Sequence, residues 1–106
     1  MAEKTIMLCC SAGMSTSILV KKMQEAAQKD GIDVEIFACP AAEARDNLEQ
    51  KQIDCVLLGP QVRYMLADFQ KMTAEKNVPV DVIDMAAYGM MAGEKVLQQA
   101  KKVIEG

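Results

Sequence analysis

The sequence predicts an α/β fold: a four-stranded parallel sheet in the order 2-1-3-4, with helices on both faces. Three observations carry that reading. Strand-like and helix-like apolar patterns alternate from one end of the chain to the other. Two strand segments are apolar throughout, as strands covered on both faces must be, whereas the other two alternate with acids and suit edges. Right-handed crossovers then leave 2-1-3-4 as the favoured order.

The elements follow in chain order. Residues 4–10 form the first strand around Thr5-Ile6-Met7-Leu8-Cys9. Residues 15–30 read as a helix with Leu19, Met23, Ala26 and Ala27 on one stripe and Gly31 as its stop. Residues 32–38 alternate strictly, with Val34, Ile36 and Ala38 against Asp33, Glu35 and Phe37. Pro40 opens a weaker helix to about Gln50, carried by Ala41, Ala44 and Leu48. Cys55-Val56-Leu57-Leu58 is a short, fully apolar strand that Gly59-Pro60 ends. From Pro60, a good first helical residue, the stripe Val62, Met65, Leu66, Phe69 and Met72 predicts one helix to about Lys76. A fourth strand spans Val80 to Asp84. A loop around Tyr88-Gly89 then leads to a helix from Met91 to Glu105.

Composition narrows the function. The chain has 106 residues, a net charge of −3 and no basic block, so nucleic acid and anionic membrane are not expected partners. No apolar run approaches the length of a membrane span, and the N-terminal run is too short for a signal peptide core, so a cytoplasmic location is expected. Histidine is absent and the four cysteines (9, 10, 39 and 55) form no Cys-x-x-Cys pair. That pattern speaks against a Cys/His metal site and a Cys–His dyad; no metal and no cofactor is expected. Cys9 and Cys55 lie within apolar runs and read as small core residues. The nine methionines read mostly as core filling.

The chemistry concentrates in Cys10-Ser11-Ala12-Gly13-Met14-Ser15-Thr16-Ser17, between the first strand and the first helix. Backbone N–H groups of such a loop and of a helix N-terminus converge on one point, where partial positive charge collects. A phosphate fits there, and the same surroundings suit a thiolate. Cys10 is therefore the candidate nucleophile, and Ser11, Ala12, Gly13, Met14, Ser15, Thr16 and Ser17 the candidate phosphate cradle. Gly13 permits close backbone approach. The predicted strand order also puts this loop at the carboxyl ends of the strands, beside the point where the winding reverses, where open α/β sheets bind ligands.

With Leu57-Leu58-Gly59-Pro60-Gln61 downstream, and Asp84 and Tyr88-Gly89 after the fourth strand, this loop resembles the lactose/cellobiose (chitobiose) type of enzyme IIB of the bacterial sugar phosphotransferase system. The resemblance runs from Lys4 to the last helix. It implies one IIB domain over residues 1–106, with a fold similar to the flavodoxin-like and low-molecular-weight tyrosine phosphatase folds. It further implies that Cys10 becomes a phosphocysteine, taking its phosphoryl group from a phosphohistidine of enzyme IIA. The group would pass to a sugar bound in the membrane permease IIC, usually a β-disaccharide such as cellobiose, chitobiose or lactose. The extra thiol Cys9 departs from the family pattern.

Two other classes compete. A phosphatase or arsenate-reductase-like thiol enzyme would carry Cys-x5-Arg, yet the sixth residue after Cys10 is Thr16. A guanidinium on a transferring phosphoryl group is worth about 10³–10⁵ in rate in enzymes that use one, so its lack favours a carrier that holds phosphate over an enzyme that hydrolyses it. A flavodoxin-like or receiver-like binding module would need aromatics, or an acceptor Asp at the end of the third strand, whereas Asp54 stands at its start. Cys39 closes the strand beside the first and stands where it can approach Cys10, although a structural thiol is the simpler reading. Tyr88 can reach the loop from the end of the fourth strand.

Overall fold

The computed structural model describes residues 4–10 and 14–105. Its centre is the apolar strand β1 (Lys4–Cys10), flanked by β2 (Val34–Pro40) and by the fully buried β3 (Cys55–Leu58), with β4 (Val80–Val82) outside β3. All pairings are parallel and the order is β2-β1-β3-β4, as expected. Apolar side chains on both faces of β1 and β3 require two covering layers. Ile6 and Leu8 face α1 (Met14–Asp30) and α5 (Gly93–Glu105) through Leu19, Met23, Val96, Leu97 and Ala100. Met7 and Cys9 face the other way, toward Ala44 and Leu48 of α2 (Ala44–Gln50) and Phe69 of α3 (Leu66–Thr73).

Several boundaries differ from the expected ones, each for a local reason. Gly31 (φ 70°) ends α1 as anticipated, but Ile32 N–H closes that cap on Ala27 O at 2.8 Å, so β2 starts at Val34. The strand then runs on to Pro40, which an edge strand tolerates because one row of its N–H groups has no neighbour to serve. Phe37 does not face solvent with the acids: it packs on the second layer, and Lys51 Nζ lies 4.4 Å from its ring centroid. Residues 41–43 form a 3₁₀ turn before α2.

The single helix expected from Pro60 is instead a 3₁₀ segment (Pro60–Met65), interrupted at Val62 (φ −115°, ψ 22°), then α3 and a 3₁₀ turn (Ala74–Lys76). Periods of 3.0 and 3.6 are indistinguishable over six residues of apolar spacing. β4 stops at Val82 because Asp84 turns to cap a short helix, α4 (Met85–Gly89), where a loop was expected. Asp84 Oδ2 accepts from Ala87 N–H at 3.0 Å. Met91 takes a left-handed conformation (φ 51°) that closes α4, which delays α5 to Gly93.

Candidate functional site

β1 ends at Cys10 and α1 begins at Met14, so the strand's last side chain stands beside the first turn of a 17-residue helix. Neighbours on either side of β1 are reached by opposite turns of the chain, β2 one way and β3 the other. Cys10 therefore sits at the carboxyl edge of the sheet beside the reversal point. Cys10 is 3% exposed, and Thr16 Oγ1 donates a hydrogen bond to its sulfur at 2.7 Å. Thr16 itself is fully buried. The residue standing where a phosphatase would hold its arginine thus touches the candidate nucleophile, a contact the spacing alone did not reveal.

Of the expected cradle, Ser11, Ala12 and Gly13 lie outside the described residues, as do the side chains of Met14 and Ser15. Met14, Ser15 and Thr16 begin α1 with no acid in its first turn, and Ser17 is exposed there. The first N–H groups of a helix have no intrahelical acceptor and carry its positive pole.

The wall opposite α1 comes from the segment after β3. Gly59 N–H donates to Cys9 O at 2.8 Å, and a Cβ built at Gly59 would lie 3.7 Å from Cys10 Cβ and 3.0 Å from Gln61 Oε1. The turn therefore sits in ordinary contact with the cysteine, with the Gln61 side chain packed closely over it. Gln61 Nε2 in turn donates to the hydroxyl of the buried Tyr88 at 3.3 Å. The expected approach of Tyr88 to the site runs through Gln61, whose role sequence reasoning missed. Pro60, Gln61, Arg63, Tyr64, Met85, Tyr88 and Gly89 line an open groove of about 630 Å³ beside this wall. A second cavity of about 460 Å³ lies at the opposite end of the sheet, among Lys4, Asp54 and Lys76, away from Cys10.

The other thiols divide clearly. Cys55 is fully buried, and burial, helped by Asp81 and Asp54, pushes its thiol up to about 12. Cys39 pairs in register with Cys9 rather than approaching Cys10, and the two sulfurs are 3.8 Å apart. Hydrogen bonding to Cys39 and then burial push the Cys9 thiol up. The hydrogen bond from Cys9 holds Cys39 below the ordinary thiol range, with Asn47 adding to it against the cost of burial. Of the two, Cys39 gives up its proton more readily and Cys9 holds its own.

Two charged residues prove structural. Asp54 accepts from Thr5 N–H at 2.8 Å at the amino end of the sheet, far from any receiver-like acceptor position. Asp84 caps α4, while its own N–H donates to Gln99 Oε1 at 3.0 Å. No cluster of His, Cys, Asp and Glu that would hold a metal occurs among the described residues, and no helix there is long and apolar enough to cross a membrane.

Residues 5–99 match the family model described as the lactose/cellobiose-specific IIB subunit of the PTS system. The galactose-specific EIIB component of Lactococcus lactis subsp. cremoris is 48% identical, the match covering 98% of this chain and 99% of that one. The cellobiose-specific EIIB component of Lactococcus lactis subsp. lactis is 48% identical over the same shares. The lactose-specific IIB domain of Streptococcus pneumoniae superposes with a TM-score of 0.85 over 95% of this chain and 97% of that one. At 16% identity it speaks for the fold alone.

Proposed function

Since the chain belongs to the lactose/cellobiose-specific IIB subunit family of the sugar phosphotransferase system, whose members are phosphotransferases, we propose that Cys10 is its phosphoryl carrier. In this reading residues 1–106 act as one IIB domain at the cytoplasmic face of the membrane. The sulfur of Cys10 attacks the phosphorus of a phosphohistidine on enzyme IIA; the S–P bond forms as the P–N bond breaks. A hydroxyl of a sugar held in IIC, a β-disaccharide such as cellobiose, then takes the group as the S–P bond breaks.

The observation that carries the proposal is the Thr16 hydroxyl on the Cys10 sulfur at 2.7 Å, at the mouth of α1. A donor aimed at the sulfur in a water-poor site is preorganised for the negative charge that returns to it when the S–P bond breaks. Residues 11–17 supply the backbone and hydroxyl donors for the phosphoryl oxygens. A helix N-terminus with no acid in its first turn supports that placement. The relatives at 48% identity carry different sugar names, galactose and cellobiose, which fits a carrier whose sugar is chosen by IIC.

Exposed apolar side chains favour one docking edge. The large hydrophobics exposed among the described residues are Ile18, Tyr64, Met85 and Met90, so not every methionine fills the core. Ile18 lies early in α1, Tyr64 follows β3, and Met85 and Met90 follow β4. Tyr64 and Met85 line one groove, and exposed apolar side chains on segments at the carboxyl edge are what a partner's interface core prefers, so IIA and IIC share this edge.

The test is direct. The chain is incubated with phosphorylated enzyme IIA, and the modified residue is located by mass spectrometry under conditions that preserve thiophosphate. The expected product is one phosphate on Cys10, stable until IIC and sugar are added, and none on a Cys10→Ser variant. Phosphate on another residue, or rapid release as inorganic phosphate without sugar, would sink the carrier reading; the second outcome would favour a phosphatase.

A further inference from the structure

Cys9 and Cys39 face each other across the β1–β2 ladder, in register, with sulfurs 3.8 Å apart and both side chains in the second core layer. We infer that these two residues form a modification site for hydroperoxides, closing a reversible disulfide. On the carrier reading above, that bond slows phosphoryl uptake at Cys10.

Paired residues of neighbouring parallel strands lie about 4.7–4.9 Å apart and point to one face, within the Cα separation that a disulfide spans. Neither sulfur needs its strand to unfold to reach the other. The roles also divide. Cys39 is 6% exposed and Cys9 is not exposed at all, so Cys39 is the nearer of the two to a small oxidant in solvent. Cys39 is the sulfur held toward thiolate by its neighbours, and Cys9 is the one that keeps its proton.

The chemistry balances with hydrogen peroxide, the simplest hydroperoxide, as oxidant. The Cys39 thiolate attacks one peroxide oxygen; the O–O bond breaks, a sulfenic acid forms, and the departing hydroxide is protonated to water. The Cys9 sulfur then attacks the sulfenic sulfur. An S–S bond forms, the S–O bond breaks, and the leaving hydroxide takes the Cys9 proton as a second water. Two thiols lose two electrons and the peroxide gains them.

The link to Cys10 is short. Closing the bond draws the sulfurs from 3.8 Å to about 2.05 Å at the carboxyl ends of the two strands. Cys9 is the residue before Cys10, and its carbonyl holds the Gly59 turn that abuts Cys10. A shift at Cys9 therefore moves both the acceptor and its wall. At about 4.7–4.9 Å such a bridge lies at the short end of that range, below the usual 5.5–6 Å or so, which makes it easier to reduce and suits a reversible switch.

The experiment treats the reduced full chain with hydrogen peroxide, blocks remaining thiols under denaturing conditions, and maps the peptides. The expected product is lighter by two hydrogen atoms, has half of its four thiols blocked, and joins Cys9 to Cys39. The bond should also form in Cys10→Ser and be absent from Cys39→Ser. Oxidised wild type should accept phosphate from phosphorylated IIA about tenfold more slowly, recover with dithiothreitol, and differ from Cys39→Ser, which should keep its rate through the same treatment. A bond involving Cys10, oxidation of Cys10 alone, or equal loss of rate in Cys39→Ser would overturn the inference. A reduced protein that takes up no phosphate at all would overturn the carrier reading and the effect on rate, while peptide mapping would still decide the bond.

Discussion

Thr16 is worth asking about first, because one hydroxyl separates two chemistries. It occupies the sixth position after Cys10, and its O–H is directed at the sulfur. Thr16→Val keeps the branched shape and removes the donor. Losing a hydrogen bond to a reacting group costs about 1–2 kcal/mol, so transfer of the phosphoryl group from Cys10 to sugar, in which the sulfur is the leaving group, should slow about 5–30-fold with the circular dichroism spectrum unchanged. Wild-type transfer in Thr16→Val would show that the hydroxyl is idle. Cys55 makes a different point about thiols on the same protein. Its folded-state pKa of about 12 lies above the unfolded value, so its contribution to stability is complete below the unfolded pKa and is lost as pH rises toward 12. With an unfolded thiol near about 8.5, some 2–3 kcal/mol should be gone by about pH 10.5. Urea midpoints measured from pH 8 to 10.5 should therefore fall more steeply for wild type than for Cys55→Ala. Parallel slopes would contradict the buried-thiol argument.

Between elements, the decisive contact is the crossing of α5 over α1. A Cβ at Gly93 would come within 2.5 Å of the Lys22 carbonyl carbon and 2.6 Å of Met23 N. Both are backbone atoms, so the helices themselves would have to part. Gly93→Ala should cost about 1–3 kcal/mol, and at about 4–8 °C per kcal/mol the thermal midpoint should drop visibly. An unchanged midpoint would mean the crossing is looser than its geometry. The short helix α4 shows a signal that was present in the chain: Asp84 ahead of Met85-Ala86-Ala87-Tyr88 is an N-cap before a small apolar run. Replacing Asp84 by Ala should cost about 0.5–2 kcal/mol through the lost Ala87 N–H bond, read as a lower urea midpoint. If stability did not change, the cap would not be what holds α4 in place.

For the whole molecule, the sheet order matters because it gathers distant residues at one edge. Cys10, Gly59, Gln61 and Tyr88 converge there, and Tyr64 and Met85 flank them in one groove. Met85 is 58% exposed and contributes little to the core, so Met85→Asp should leave stability nearly unaltered. It places a charge in the proposed interface core, of the same sign as the phosphoryl group that the partners must exchange. Transfer from IIA and onward to sugar should both slow several-fold. If one rate fell and the other held, the two partners would not share this edge.

The fold was legible in the chain because burial is written in apolar periodicity. Continuous runs at β1 and β3 could only be central, and with right-handed crossovers that leaves one favoured order. The position of Cys10 between a strand and a helix was equally legible from Gly13, Ser15, Thr16 and Ser17. Other features required the folded chain. Periodicity carries no information on whether a turn closes at three or four residues, so the 3₁₀ segment at Val62 went unseen. A left-handed Met91 is a local exception held by tertiary contacts, which no propensity encodes. The partnership of Cys9 with Cys39 depends on register, and the Gln61–Tyr88 bond depends on where two loops meet. Sequence specifies which surfaces must be buried; only packing decides which polar atoms then find each other.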